Sequence, residues 1–510
     1  MPPLSTARNI LRRTGYADVL VKMIRKTYGE CPESSAQGQP LASFDVPDPT
    51  AHPIAIARNL LLIALSLQIR EEVTPSSSES QSSRESSHRY FSAATHYVTS
   101  KDQLVTSPVG LETLMLEGLY QLSAGNLKLG WLTFCRAIEC ADLDGNPAEA
   151  CMVSTSSFLW FRLNYSDRIL SLIMGLPFAT LGDGFASPEV LAADVPVGRV
   201  ERMHTVVMGH IIARNQRIAR AENTQHALRT EAKETRRIDE ELFQVSTQFP
   251  RKWWLSPHLE NLMPEAGDSM HEMLRLLAQV NQAHLLLALH LPHAIHAFSA
   301  VPQPQPDCSY STIQASRDLL ARFVLYRKSH RMPVCCRVIG FKAFTASASL
   351  LLAHIDGHHL GHGNTLRHHR QEDLGVIEMA VDNIKDLAKL LPMYQGKAEV
   401  RILEALIGIE ARLKIDSRGF SGECSVLGQG QPFEFGTPFL GRVRIHSLAT
   451  AEPADMTDLE LSTGAFEIMP STMSRDAIGG WLPQKLLPLG YLSLSISGSL
   501  SAVETVSTNC

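Results

Sequence analysis

The stretch from Trp160 to Pro177, WFRLNYSDRILSLIMGLP, constrains the fold more than any other part of the chain. Its apolar residues recur at the spacing of one helix face, which predicts a helix that buries that face. Gly175 and Pro177 end this helix, because glycine adopts the left-handed turn after a helix and proline cannot continue one. Asp167 and Arg168 lie inside the apolar run. Buried charges must be satisfied, so we predict that these two residues fix helix packing through paired charges.

The same helical periodicity recurs along most of the chain, interrupted by short turns such as Gly125-Asn126. The adjacent residues Arg317 and Asp318 lie in another such run and predict a second packing contact through paired charges. Strand signals are sparse, and Val443 to Ile445 is the best of them. The sequence therefore predicts an all-α fold, a multi-helical array of antiparallel helix pairs with a mostly irregular C-terminal tail.

Composition divides the chain into three regions. These are an N-terminal helix and linker (1–56), a helical domain (57–415) and an irregular C-terminal region (416–510). Within the domain, residues 75–89 are serine-rich and low in complexity, which predicts a disordered loop. Residues 452–468 mix five acids with spaced apolar side chains, so they are a candidate activation segment. A plain solvated tail is the alternative for that segment.

Net charge and cysteine content limit the classes of protein to which this chain can belong. The formal net charge is −5, which gives no overall attraction to nucleic acid. The nine cysteines are scattered and odd in number, as expected for free thiols in a reducing compartment. No uncharged apolar run reaches the roughly 18 residues that a membrane helix needs, so we expect no membrane span. The nearest candidate, Leu60 to Leu67, is short and is flanked by Arg58 and Arg70.

The segment at 160–177 resembles the signature of the fungal-specific transcription factor domain, the helical regulatory domain of zinc-cluster regulators. That signature reads a tryptophan, then Asp-Arg, then Ser, then Gly-Arg-Pro. The matching positions here are Trp160, Asp167, Arg168, Gly175 and Pro177, with leucine in place of the last arginine. We expect a structural role for these five residues.

Further pieces follow the order that we associate with the same family, over roughly residues 57 to 445. They are Leu114 to Ala141 with Trp131, Thr235 to Trp254, His290-Leu291-Pro292, Ser316 to Leu320, Cys336-Arg337, Leu350 to Asp356 and Thr437 to Gly441. The resemblance implies a fungal transcription regulator that acts in the nucleus, on a metabolic or secondary-metabolite gene cluster. Its implied partners are the transcription machinery, a partner regulator or a second copy of the chain.

The DNA-binding module of these regulators has no counterpart in this sequence. That module holds two zinc ions with six cysteines that begin with Cys-x-x-Cys, because zinc needs several closely spaced thiolates. This sequence has no Cys-x-x-Cys, and only Cys31 precedes residue 135. We therefore expect no cofactor in this chain, and zinc only in an N-terminal cysteine cluster encoded outside it. DNA contact would come from such a module or from a partner, and a helical adaptor without a DNA role is the alternative.

A histidine-rich stretch between His354 and His369 is the strongest local suggestion of another chemistry. His358 and His362 have the spacing of one helix face and are the candidate metal ligands. Gly357, with two further glycines, instead favours a solvated loop between two helices. The sequence carries no Gly-x-Ser-x-Gly, Gly-x4-Gly-Lys-Ser/Thr or His-Glu-x-x-His motif. We therefore predict no catalytic residue and no enzymatic activity.

Overall fold

A computed structural model describes most of the chain up to residue 416. The described ranges are 2–14, 47–48, 50–73, 78–143, 155–180, 182–257, 267–298, 306–328, 336–359, 364–390 and 396–416, with positions 21 and 24 and three short strands further on.

These residues are overwhelmingly helical. The α-helices are α1 (Leu4–Thr14), α2 (Pro53–Val73), α3 (Ser78–Ala94), α4 (Asp102–Val105), α5 (Pro108–Ala124), α6 (Leu127–Leu143), α7 (Thr155–Met174), α8 (Pro188–Ala193), α9 (Pro196–Arg220), α10 (Thr224–Thr230), α11 (Ala232–Thr247), α12 (Gly267–Phe298), α13 (Pro306–Lys328), α14 (Cys336–His359), α15 (Arg370–Leu390) and α16 (Gly396–Asp416). Neighbouring helices pack in pairs, so the predicted all-α array is confirmed.

The α5–α6 hairpin shows how local sequence sets these pairs. The Ser107 hydroxyl accepts a hydrogen bond from Gly110 N at 3.1 Å and caps the start of α5. Gly125 ends the helix with a φ of 99°, a conformation that favours glycine. A Cβ on Gly118 would lie 2.5 Å from the ring of Phe134, so this glycine lets α5 and α6 approach closely.

Two apolar helices form the centre of the core. In α2, every residue from Leu61 to Leu65 is fully buried, so all faces of this helix are covered. Within α14, the segment Val338–His358 is long and apolar enough to cross a membrane, but 94% of its most apolar stretch is buried inside the protein. Burial on this scale is what a core helix of a packed domain shows.

The serine-rich segment is a helix, so the prediction of a disordered loop is wrong for residues 78–89. Residues 75–77 lie outside the described ranges. Helix α3 packs along α2, where buried Ser87 donates a hydrogen bond to Ala64 O at 2.8 Å. Further along, Phe91 stacks on Tyr120 with ring centroids 4.0 Å apart. Tertiary packing therefore overrides the low-complexity composition.

Replacing Ser87 with leucine tests this packing. Ser87 is buried against α2, so the larger side chain is expected to lower the free energy of unfolding by about 2 kcal/mol. Ser82→Leu is the matched control, because Ser82 lies on the exposed side of the same helix. It should change stability by less than about 0.5 kcal/mol in the same urea titration. Equal effects of the two substitutions would contradict the packed helix.

A proline inside α12 is supported by α9. Pro292 has no N–H, so the carbonyl of Ala288 loses its helical donor. Asn215 Nδ2 donates to Ala288 O at 3.5 Å, and Arg214 Nη2 donates to Leu289 O. Burial lowers the pKa of fully buried Arg214 to about 10. The polar pair on α9 therefore compensates the interrupted backbone of α12.

Three short strands lie in the C-terminal region, in an antiparallel sheet of order β1-β2-β3. They are β1 (Phe433–Thr437), β2 (Gly441–Ile445) and β3 (Phe466–Met469). Val443 is opposite Phe435 on one side and Ile468 on the other. The strand predicted at Val443 to Ile445 is confirmed. Of the candidate activation segment, residues 452–465 lie outside the described residues and 466–468 belong to β3.

Candidate functional site

Asp167, in the middle of α7, is fully buried and is surrounded by hydrogen-bond donors. Its Oδ1 accepts from Trp131 Nε1 at 3.1 Å and from the Ser171 hydroxyl at 3.3 Å. Its Oδ2 accepts from the backbone N–H of Ala179 at 2.7 Å. No cation lies within ion-pair distance of Asp167 among the described residues. Burial raises the pKa of Asp167, and these hydrogen bonds partly oppose that rise.

A thiol, that of Cys135, also lies beside Asp167. Its Sγ lies 3.9 Å from Asp167 Oδ1. Burial, together with the negative charges of Asp167 and Glu139, raises the pKa of this thiol to about 12. The nucleophilic form of cysteine is the thiolate, so Cys135 is unreactive at neutral pH. The buried carboxylate therefore has a positioning role, and the thiol beside it is not an activated nucleophile.

Arg168 points away from Asp167, because adjacent residues on a helix do not face each other. Its Nη1 donates to Asp183 Oδ1 at 2.7 Å and to Thr205 O at 3.0 Å. Its Nη2 donates to Gly182 O at 3.0 Å. The structure thus differs from the predicted charge pairing: Arg168 has an anionic partner, whereas Asp167 is satisfied by neutral donors. Both side chains hold the connection between α7 and α9.

Two further buried arginines act on the same connection. Arg202 Nε donates to Asp194 Oδ2 at 2.7 Å, and its Nη1 donates to Phe185 O at 2.8 Å. Arg162 Nη1 donates to Glu201 Oε2 at 2.9 Å. These guanidinium groups also lie over the faces of the aromatic rings between them. The ring contacts, at 4.3 to 5.8 Å, join Arg162 and Arg202 to Phe158 and Phe161, and Arg168 to Phe178 and Phe185.

The remaining signature residues shape the start of the connection. Gly175 has a φ of 72°, which favours glycine and ends α7 as the sequence predicts. The Ser171 hydroxyl oxygen also lies 3.0 Å from the carbonyl oxygen of Pro177, so its one proton is shared between this carbonyl and Asp167 Oδ1. Trp160 is half-buried and packs against the main core. We call the assembly of these residues with Trp131, Asp167 and Arg168 the signature cluster.

A second polar assembly joins three C-terminal helices, α13, α14 and α15. Arg317 on α13 donates to both oxygens of Asp373 at 2.8 Å. His354 Nε2 lies 2.9 Å from Asp373 Oδ2. Burial alone would raise the pKa of Asp373, but the hydrogen bonds from His354 and Arg317 lower it overall. The sequence predicts paired charges at Arg317 and Asp318. Asp318 Oδ1 instead lies 3.3 Å from Nη1 of Arg322 on the same helix.

One helical turn further along α14, a similar triad forms around Glu410 of α16. Arg370 Nε and Nη2 donate to the two oxygens of Glu410 at 2.5 Å. His358 Nε2 lies 2.9 Å from Glu410 Oε1. The helix continues through His359, so the predicted loop does not begin at Gly357. His358 and His354 therefore both bind carboxylates from neighbouring helices.

Of the two candidate metal ligands, only His358 lies within the described residues. His358 binds Glu410, and His362 lies outside the described residues. Within the described ranges, no group of three His, Cys, Asp or Glu side chains is arranged to hold a metal ion. Sequence reasoning missed Asp373 and Glu410, because their partners lie 19 to 56 residues away along the chain.

The Glu410 triad predicts a loss of stability in acid. Burial alone would raise the pKa of Glu410, but hydrogen bonds from His358 and Arg370 lower it from 4.5 to about 2. The folded protein therefore binds fewer protons at Glu410 than the unfolded protein does. The contribution of Glu410 to the free energy of unfolding is lost as pH falls from 4.5 toward 2. Unfolding free energies of wild type and Glu410→Gln should converge over that range. A gap that stays constant with pH would contradict this linkage.

The chain is similar to fungal proteins that are named as biosynthesis regulators or transcription factors. A "Dehydrocurvularin biosynthesis regulator" of Alternaria cinerariae is 32% identical over 72% of this chain, and one of Aspergillus terreus is 28% identical over 89% of it. "Transcription factor eupR" of a Phoma species is 36% identical over 50% of the chain.

The match covers only part of each relative. The chain spans 48% of the Alternaria protein, 65% of the Aspergillus protein and 56% of the Phoma protein. No protein-family model matches the chain, and no solved structure matches it. The relatives are fungal transcription factors and biosynthesis regulators, whereas the specific regulatory domain indicated by the signature remains a prediction.

Proposed function

We propose that this protein is a fungal transcription regulator that controls a metabolic or secondary-metabolite gene cluster from the nucleus. The observation that carries the proposal is the similarity to named regulators, which extends over up to 89% of the chain. The all-α architecture is consistent with a regulatory domain. The chemistry of the signature cluster supports the same proposal, because its buried charges are engaged in positioning contacts.

In this proposal the helical domain presents a surface that recruits the transcription machinery or a partner regulator, or that pairs two copies of the chain. DNA contact is supplied by a partner or by a zinc-cluster module beyond this sequence. The signature cluster contributes rigidity. It joins α7 to α9 through Asp183, Gly182 and Ala179, so a change in that connection would be transmitted to both helices.

Promoter occupancy tests the proposal. The tagged full-length protein is expressed from its own promoter, and its binding to chromatin is mapped together with the transcripts of a deletion strain. We expect occupancy upstream of a group of neighbouring biosynthetic genes, whose transcripts fall or rise in the deletion strain. Absence of both effects, with the protein outside the nucleus in stable complexes, would overturn the proposal in favour of the adaptor.

A further inference from the structure

A surface turn between α11 and α12 combines basic and large apolar side chains in consecutive residues. Residues Arg251–Trp254 form one turn of 3₁₀ helix, and Leu255 follows directly. Leu255 is 65% exposed, Arg251 and Lys252 are exposed, and the two tryptophans are half-buried. We call residues 251–255 the aromatic turn. A single exposed leucine is ordinary, whereas a leucine that adjoins tryptophan and arginine has the composition of a protein-binding surface.

The backbone of the aromatic turn is held by side chains of two core helices. The four carbonyl groups of residues 252–255 all accept hydrogen bonds. On α12, Arg275 Nη1 donates to two of them at 3.1 and 2.9 Å, and Gln279 Nε2 donates to two at 2.6 and 3.0 Å. On α13, Arg322 Nη2 donates to Trp254 O at 3.3 Å. Because every one of these carbonyls is fixed, a partner that binds here orders little backbone.

The two indole rings are also fixed. Trp254 Nε1 donates to Ser246 O, near the end of α11, at 2.9 Å. The rings of Trp253 and Trp254 meet edge to face with centroids 4.7 Å apart. Both pack on buried Phe249, with centroid distances of 5.0 and 6.2 Å. The turn therefore presents two partly exposed rings in one arrangement, and binding energy concentrates on aromatic anchors of this kind.

The charge of this surface is positive. Within the described ranges, no ion pair is formed by Arg251 or Lys252. Arg199 of α9 adds a third cation, 5.9 Å from the centre of the Phe249 ring. The carboxylates in the network behind the turn are paired with its arginines, Glu272 with Arg275 at 2.5 Å and Asp318 with Arg322 at 3.3 Å. An anionic partner is therefore complementary to the exposed side of the turn.

The spacing within the turn indicates what else the partner carries. Leu255 N donates to Lys252 O at 3.3 Å, so the 3₁₀ pattern of hydrogen bonds continues to Leu255. Side chains three residues apart eclipse in this geometry, which sets Lys252 beside Leu255 and Arg251 beside Trp254. Each of these two apolar groups thus adjoins a cation. A matching partner carries carboxylates and bulky apolar side chains in close alternation.

We propose that the aromatic turn is a docking surface for an acidic segment of a partner protein, in which carboxylates alternate with leucine or other bulky apolar side chains. The carboxylates meet Arg251 and Lys252, and an apolar side chain packs on Trp254 and Leu255. Single-stranded nucleic acid is disfavoured because the rings are half-buried and edge to face, which leaves no open face for base stacking. An anionic membrane is disfavoured because so few cations give it little attraction.

This proposal rests on the proposed function only for the role of the partner, which the domain would recruit. Binding itself is measured without DNA. Residues 452–465 of this chain, EPADMTDLELSTGA, have the stated chemistry, with four carboxylates and no cation, and serve as the probe. A fluorescein-labelled synthetic peptide of this sequence is titrated with the full-length protein, and binding is followed by fluorescence anisotropy.

The full-length protein carries the same segment, so a second protein removes its charge. In that variant the four acids become amides: Glu452→Gln, Asp455→Asn, Asp458→Asn and Glu460→Gln. We expect saturable binding of the probe, with Kd equal within about twofold for wild type and this variant. A probe with serine in place of Leu459 and Leu461 should bind at least about tenfold more weakly, since it keeps the charge and loses the apolar anchors.

Charge reversal locates the electrostatic part of the interaction. Arg251→Glu combined with Lys252→Glu should raise the Kd of the probe at least about tenfold. Lys233→Glu combined with Arg236→Glu is the matched control, because it makes the same change of net charge at two exposed positions of α11. These lie about 15–20 Å before the end of that helix, so Kd should change by less than about twofold.

A leucine substitution tests the apolar part. Leu255→Ser should raise the Kd of the probe about tenfold, as expected for loss of an apolar contact at the centre of an interface. Leu129→Ser is the control, since Leu129 is an exposed leucine of α6 and is 49% exposed. All of the replaced side chains are exposed, and thermal unfolding of each variant establishes that it is folded.

Several results would overturn the proposal. They include no saturable binding up to about 1 mM protein, equal effects of the two charge reversals, and equal effects of the two leucine substitutions. A Kd about tenfold lower in the amide variant would assign the turn to this chain's own acidic segment instead of a partner. Displacement of the probe by oligothymidylate or by phosphatidylserine vesicles would assign it to nucleic acid or to a membrane. None of these results bears on promoter occupancy, so failure of the docking surface is distinguishable from failure of the proposed function.

Discussion

Replacing Glu410 with glutamine is expected to lower the free energy of unfolding by about 3 kcal/mol at neutral pH. The Glu410 side chain is 1% exposed and accepts from both Arg370 and His358. An amide can accept on one side only, so its NH2 group would face a guanidinium donor. The Arg370 side chain is 13% exposed and would keep its charge without the matching carboxylate. Removing one member of a buried ion pair is costly for this reason.

Glu404→Gln is the matched control on the same helix. Glu404 is 52% exposed and lies 3.1 Å from Lys385, an arrangement that solvent screens. Its loss should cost less than about 1 kcal/mol. Urea unfolding of both variants, followed by far-UV circular dichroism, gives the two free energies. A similar small loss in both would mean that the Glu410 triad does not join α14, α15 and α16 as the structure indicates.

Helix content was predictable because apolar spacing is a local property. The end of α7 at Gly175 and the hairpin at Gly125 follow from the residues themselves. The partners of the buried charges were not predictable. Asp373 is 56 residues from Arg317, and Glu410 is 52 from His358. Only the packing of the helices brings such residues together.

Adjacency in sequence was a poor guide to charge pairing. The neighbours Asp167 and Arg168 diverge, and Arg317 pairs with Asp373 across helices. The helix places consecutive side chains about 100° apart, so each neighbour meets different surroundings. Composition misled in a similar way for the serine-rich helix α3, where small side chains permit close packing on α2 and add little hydrophobicity of their own.

Replacing Asp167 with asparagine is expected to lower the free energy of unfolding by about 2 kcal/mol and to loosen the connection between α7 and α9. Both carboxylate oxygens accept hydrogen bonds, Oδ1 from Trp131 and Ser171 and Oδ2 from Ala179. Either orientation of an amide therefore sets an NH2 group against another donor. The loss of stability is moderated because the substitution removes a buried carboxyl group, whose pKa is raised by burial.

Asp318→Asn is the control, since Asp318 also adjoins an arginine but is 67% exposed. It should change stability by less than about 0.5 kcal/mol. Amide hydrogen exchange supplies the local readout: in Asp167→Asn, the N–H of Ala179 should lose protection by more than the global loss of stability explains. If Ala179 instead follows global unfolding alone, Asp167 contributes to the core without holding the connection. The signature would then mark a packing requirement of α7, and rigidity of the α7–α9 connection would not be its role.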